Sequence, residues 1–442
     1  IRWLLALKGV DLIPVEIPGA DPPVRSDRFS RGHRLPGDQP LPINTAEAYD
    51  DTLAAAGVIV DRQQRAALIR SQLDASADQL NGLPDCPEFL FQELVDLVES
   101  PRLLQGSIAE RFLSLPPEVI ITVMQAHQRY VPLKVPEVTP DPLQLVATGV
   151  LQRDFLLVGN GLEAADALIT RGNERVLAAR LADAEFFLSV DRRQPSSVRR
   201  EALDRVTFAE GLGSLLDRCQ RIERTARQLV DQLNLDARQG EAAIRAAHFC
   251  KHDLVSQMVG EFPELQGLMG GKYLLEEGEP KEVALAVVEH YLPRGAGDQL
   301  PSSDAGAVVA LAERLELLLS IFAKGERPSG SSDPYALRRA GNGLLQIVWD
   351  RGWRLDLSCF LGSAVEDWTA LFPEFVIDSS ALHQDLCQLL RQRIVSQLED
   401  EGFAPDLVQA VSAESVPTER LLADPMDVRE RLDLLNALRQ SK

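Results

Sequence analysis

An imidazole beside a carboxylate is the arrangement in this 442-residue chain that comes closest to metal chemistry. His252 and Asp253 follow one another in HFCKHDLV, within a run expected to be helical. Such a pair, given further imidazole or carboxylate ligands, can contribute to holding a divalent ion that activates water. The rest of such a set is hard to assemble. His248 lies only four residues upstream, His127 is far away in sequence, and His290 is available downstream. A further acid downstream is Glu313, in ALAERLE. One pair plus one His makes a poor site, so His252 and Asp253 are read as a degenerate pair without metal, and no residue of this chain is assigned as catalytic. His33 and His127 are expected to form local hydrogen bonds, since neither has a partner in sequence that would make it an acid or base. No Gly-rich phosphate loop and no dinucleotide fingerprint occurs.

The other chemistry open to the chain is contact with phosphate. Arg338-Arg339, Arg391 with Arg393, Lys324 with Arg327, and the series Arg218, Arg221, Arg224 form small basic clusters. They stand on an unfavourable background: 46 Lys and Arg against 66 Asp and Glu give a net charge of −20. Such a chain repels a polyanion except at local patches. No aromatic residues interleave with the arginines, so phosphate contacts are expected rather than base reading. The Arg218 series, at helical spacing, reads as a solvated face paired with acids of its own helix.

The elements that must position these residues follow from the hydrophobic pattern. Residues 1–160 read as a mixed, strand-rich domain. It has a hairpin around Lys8-Gly9, a loop through PGADPPVRSDRFSRGHRLPGDQP, helices over Thr45–Ala56 and Asp61–Leu80, a further helix through PPEVIITVMQAHQRYVPL, and a buried strand at DFLLVG. Residues 165–345 read as all-helical. Leu177, Leu181, Ala184 and Leu188 share one face, and Leu212, Leu215, Cys219, Ile222, Ala226 and Leu229 another. Ser303-Asp304 caps the helix through Leu311 and Leu315 and Gly325 ends it, while Asp333 and Pro334 are expected to open the next. Residues 346–442 are helical again, with Leu382, Leu386, Leu389, Leu390 and Ile394 facing a core. The fold class is therefore α+β, mostly α. Five widely spaced cysteines without a CxxC pair argue for a reducing compartment. No apolar run is long enough to span a membrane. The opening at Ile1 and the stop after LRQSK suggest a piece of a longer chain.

Several stretches carry more than a pattern. These are, in chain order, RFSRGHRLPG, VMQAHQRYVPL, GNERVLAARLADAEFF, RVTFAEGLGSLLDRCQRI, MVGEFPELQG, EHYLPRGAGDQLPS and DPYALRRA. Together they resemble the β subunit of bacterial heterotetrameric glycyl-tRNA synthetase over most of the sequence. The resemblance implies that 1–160 is related to an editing-like module of the phenylalanyl enzyme's β chain, that 165–345 is an HD-like helical domain, and that 346–442 includes the start of an anticodon-binding domain. It implies a cytoplasmic partner of the catalytic α subunit in an α2β2 assembly that attaches glycine to tRNA(Gly). ATP and magnesium are then expected at α, with no cofactor on this chain. Arg391 and Arg393 become the first candidates for tRNA contact, with Arg338 and Arg339 next. The adjacent His–Asp pair separately resembles the HD-type metal-dependent phosphohydrolases. That leaves such a hydrolase, or a helical scaffold without chemistry, as the rival readings.

Overall fold

In the computed structural model, residues 3–19, 22–34, 39–373 and 375–441 are described. About 60% of the chain is helical and 11% is strand, and the strands all precede residue 161. This is the mostly-α, α+β class that the periodicities predict. The backbone divides into two compact units, Ile1–Phe187 and Leu188–Lys442.

The first unit is built on an antiparallel four-stranded sheet. Its strands are β1 (Leu83–Pro84), β2 (Pro101–Ser107), β3 (Val131–Lys134) and β4 (Leu151–Asn160), in the spatial order β1-β3-β4-β2. Helices α1 (Arg62–Leu80) and α2 (Glu88–Leu97) supply Ile69, Leu73, Leu90, Leu94 and Val95 to a core that Val131, Leu133 and Leu156 complete from the sheet. α1 starts where the sequence says it should: Asp61 accepts a hydrogen bond from the Gln63 amide. Gly106 faces Phe155 across β2 and β4, and a Cβ there would lie 2.5 Å from the Phe155 ring, so the pair admits no larger residue. The hairpin at Lys8-Gly9 forms as expected. The stretch expected to be a loop before Pro42 instead contains the strands Val24–Asp27 and Phe29–Arg31, because their backbone groups find partners in Leu4–Leu5, Glu16–Ile17 and Pro40–Pro42. Residues 35–38, part of the Arg-Gly-His segment, lie outside the described residues. The helix opened by Pro116-Pro117 is also shorter than expected. It widens to π geometry over Val123–Gln128, and Arg129 ends it with φ +59°, so that the chain can enter β3.

Helix α3 (Asp166–Asp191) contains the GNERVLAARLADAEFF stretch. Within the first unit, Glu174 accepts a 2.8 Å hydrogen bond from the Ser107 amide, and Asn173 accepts one from the Tyr130 hydroxyl. These two polar side chains of GNERV tie the helix to the rim of the sheet.

The second unit is organised around α9 (Asp304–Ala323). Sixteen of its twenty residues are buried, which makes it a central helix rather than a surface one. Around it lie α4 (Ser196–Ala202), α5 (Leu215–Leu233), α6 (Ala237–Phe249), α7 (Leu268–Glu276), α8 (Lys281–Glu289), α10 (Leu337–Arg351), α11 (Leu357–Leu371) and α12 (Ser379–Asp400). α5, α6, α8, α10, α11 and α12 all touch it. Ser303 caps α9 as predicted, accepting from the Gly306 amide. Gly306 itself sits against Glu289, whose carboxylate accepts from the amides and hydroxyls of Ser302 and Ser303. Two short helices, Pro405–Ser412 and Thr418–Ala423, and a longer one, Pro425–Gln440, follow α12.

Two expected positions shift. α10 begins at Leu337 rather than Pro334. Asp333 still caps it, but as an acceptor for the Leu337 and Arg338 amides across a turn that ends in Ala336 at φ +57°. Leu215 is only half-buried, because it is the first residue of α5; Leu216, Cys219 and Ile222 take the inner face. Leu177, Leu181, Leu311 and Leu315 are buried as predicted. Leu311→Ala should therefore cost about 2–5 kcal/mol in urea denaturation. Leu215→Ala should cost well under half as much; equal losses would contradict this placement.

Candidate functional site: a buried ion network and an arginine surface

The His–Asp pair is not on a helix. α6 ends at Phe249, Lys251 turns the chain with φ +66°, and His252–Val255 form a 3-10 turn. Both side chains point inward and are fully buried. His252 uses its two nitrogens on the protein: Nε2 lies 3.1 Å from the Gly270 carbonyl, and Nδ1 accepts from Arg199 Nε at 3.3 Å. Asp253 Oδ2 accepts from the Gly267 and Gly270 amides at 2.6 and 2.9 Å, capping the start of α7, while Oδ1 has no partner. Burial, followed by the neighbouring Arg199 charge, pushes the His252 pKa down to about 3. Burial raises that of Asp253, and the two amides offset part of the rise.

These residues do not fit a metal. The lone pair of His252 is committed to Arg199, and one Asp253 oxygen is committed to backbone amides. Among the described residues no group of three or more His, Cys, Asp and Glu converges on one point. His248 is held by Glu223 at 2.9 Å, on a different side. His127 lies in the first unit, in the π turn. His290 is buried near Glu313, yet the charge beside it is an ammonium: Lys251 Nζ lies 3.1 Å from Glu313 Oε1 and 4.1 Å from the Tyr291 ring centroid.

That ammonium belongs to a network the sequence conceals. Arg218 bridges Glu316 at 2.7 Å and Glu313 at 2.8 Å, and Arg221 reaches Glu316 at 2.8 Å. Ser320 donates to Glu316 at 2.7 Å and receives the Trp368 indole N–H at 3.1 Å. Phe208 of RVTFAEG lies under the Arg218 guanidinium, 4.4 Å from centroid to Cζ. Arg218 and Arg221 thus face the core of the unit rather than solvent, and their acids come from α9 rather than from their own helix. Only Arg224 of that series is exposed. Burial opposes the ionised form of Glu313, but Lys251, Arg218 and Arg314 hold its pKa well below the usual carboxylate range. Burial likewise opposes the charge on Lys251, and Glu313 keeps its pKa above the ordinary lysine value.

The four arginines expected at a phosphate surface separate into two kinds. Arg391 donates to the carbonyls of Ser412, Ala413 and Val416 and to the Thr418 hydroxyl, fastening α12 to the following loop. Its fork is fully committed. Arg338, Arg339 and Arg393 make no side-chain hydrogen bond or ion pair among the described residues. Burial and then the Arg338 charge lower the pKa of Arg393, so these two cations sense one another. Arg339 edges a polar cleft of about 310 Å³ that also contains Arg294 and Arg314. Of the other candidate cluster, Arg327 is paired with Asp385 at 2.8 Å. In the first unit, His33 is buried, and its Nε2 lies 3.0 Å from Asn160 Oδ1, far away in sequence.

The buried imidazoles give the unit an acid-sensitive stability. Burial, then Lys251, also pushes the His290 pKa down to about 3. Both histidines are then neutral when folded and gain protons more readily when unfolded, near the ordinary 6.5. The unfolded chain binds more protons between those values, so stability rises with pH there and is lost as pH falls below about 6.5. Each imidazole contributes up to about 1.4 kcal/mol per pH unit to that slope. His290→Phe should flatten the dependence measured by urea denaturation between pH 7 and pH 5 by about one such increment; an unchanged slope would show that His290 titrates normally in the fold.

With this geometry in hand, the chain can be set beside known proteins. The family model described as glycyl-tRNA synthetase beta subunit matches residues 1–413. The glycine--tRNA ligase beta subunit of Acaryochloris marina is 42% identical over 99% of this chain and 60% of its own length. That of Gloeothece citriformis is 40% identical over 100% of this chain and 61% of its own, and that of Moorella thermoacetica 40% identical over 93% and 57%. The chain therefore spans about three fifths of the length of these curated relatives. A match of this extent settles kinship: the chain belongs to the glycyl-tRNA synthetase beta subunit family.

Proposed function

We propose that this chain is the part of a β subunit that helps to hold tRNA(Gly) for ATP-dependent glycine attachment by a separate catalytic α subunit. In this reading α2β2 is the working assembly in the cytoplasm, and ATP and magnesium are held by α. Residues 1–160 are the editing-like module, 165–345 the HD-like domain and 346–442 the opening of the anticodon-binding domain. The observation that carries the RNA side of this reading is the group of unpaired arginines, Arg338, Arg339 and Arg393, in a chain of net charge −20. Acidic surroundings make a nonspecific RNA surface unfavourable, and unpaired guanidiniums are what phosphate contact requires. Arg391 has a different task in this reading, since its donors are already taken within the protein.

The test uses the full-length β subunit mixed with purified α. Glycylation should appear only in the mixture. Replacing Arg338, Arg339 and Arg393 with Gln should raise the KM for tRNA(Gly) and leave glycine-dependent ATP–pyrophosphate exchange unchanged. The log–log salt slope of tRNA binding should fall by about 0.7–0.9 for each phosphate contact removed. Arg391→Ala should act instead through stability, lowering the melting temperature. An unaltered KM and slope in the triple variant would place the RNA surface elsewhere.

A further inference from the structure

The second unit contains a cleft that the proposed function leaves unused. It lies between α5 and α11 along one side of α9, with a volume of about 520 Å³, in the usual range for small-molecule sites. One wall is apolar, formed by Leu315 and Leu319 of α9 and by Leu361, Ala364 and Leu371 of α11. Trp368 completes it, its indole N–H already satisfied by Ser320. The opposite wall is α5, which contributes Arg221 and Arg224.

Arg221 is the informative residue. Its side chain is only 7% exposed. Nε is bonded to Glu316, and Nη2 is buried with no hydrogen-bond partner. A buried charged donor left without an acceptor is costly, and such groups are rare in folded proteins. The neighbouring acids do not supply that acceptor among the described residues. Glu316 already serves Arg221 Nε, Ser320 and Arg218, and Asp367 takes the Gln228 amide. The rings of Phe208 and Phe372 lie nearby, at 5.9 and 5.2 Å, and offer no oxygen. Arg224 is exposed, makes no ion pair among the described residues, and lines both this cleft and the smaller one beside it. Arg221 and Arg224 thus line a cleft whose other wall is largely aliphatic.

We propose that this cleft binds a small amphipathic carboxylate, with the anionic head on Arg221 and Arg224 and the hydrocarbon body against the α9–α11 wall. A planar carboxylate matches the guanidinium fork. The aliphatic lining, without stacked exposed rings, suits an alkyl chain better than a nucleobase.

Octanoate is a suitable probe, in calorimetric titration of the whole chain, with octanol and acetate as separate arms. Octanoate should bind saturably at one site per chain. Octanol, which lacks the charge, and acetate, which lacks the body, should each bind at least tenfold more weakly, roughly the effect of one charged hydrogen bond. Arg224→Gln, an exposed change that leaves the core ion pairs intact, should weaken octanoate by roughly tenfold. Ala364→Phe, which fills the cleft, should abolish its binding. Octanol binding as tightly as octanoate, octanoate binding unchanged in Arg224→Gln, or no saturable binding at all would each overturn the proposal.

Discussion

The structure of the second unit depends on one constraint: two glutamates on a central helix must not be buried without their cations. Glu313 and Glu316 sit on α9, which is otherwise almost wholly apolar and enclosed. A carboxylate in such a place is tolerable only when paired and hydrogen-bonded. Arg218 and Arg221 approach from α5, Lys251 from the turn after α6, and Ser320 from α9 itself. Because an unmatched charge here is expensive, the network fixes the register between α5 and α9 more strictly than leucine packing alone would. It also determines why the turn at Lys251 must adopt positive φ: that conformation delivers the ammonium to Glu313 and then turns His252 and Asp253 into the interior.

This gives the His–Asp pair a structural task. His252 joins Arg199 to the backbone of α7, and Asp253 caps the same helix. Arg199 in turn reaches the Asp191 carbonyl and Glu277, and Asp191 caps the short helix Gln257–Glu261 while accepting from Tyr273. The polar groups that a metal would need are thus the groups that hold α4, α7 and the end of α3 together within this unit. Lys251 places a positive charge directly beside Glu313.

Much of the fold was legible because local rules governed it. The helix opening at Asp61, the Ser303 cap, the Leu177–Leu188 stripe and the strand at DFLLVG all formed as read, since each depends on near neighbours in sequence. The ion network was not legible. Arg218 and Glu316 are 98 residues apart, and helical spacing of arginines looks the same whether the face meets water or buried acids. The signal that was present is Glu313 and Glu316 inside an apolar run, where an exposed helix would have alternated; acids in such a run ask for cations from elsewhere. The unexpected strands after residue 20 have the same origin, since their partners are short and distant and carry no alternation of their own. The separation of Arg391 from Arg338, Arg339 and Arg393 was equally hidden, because the Arg391 acceptors are backbone carbonyls, which every sequence has.

The distribution of cations then bears on how so acidic a chain can meet RNA at all. Most arginines of the second unit are ion-paired with a nearby acid, while the buried Arg314 donates to main-chain carbonyls instead. Among the arginines without an ion pair, Arg338, Arg339 and Arg393 lie together about the start of α10, beside a cleft edged by Arg294. A few uncompensated guanidiniums on a repelling background attract phosphate only when several are engaged together, because each contact alone must overcome the long-range field. Such a surface selects for a polyanion whose backbone follows its geometry and disfavours any that touches it in passing. The net charge of −20 is in this sense compatible with RNA contact, as the condition that makes position matter more than affinity.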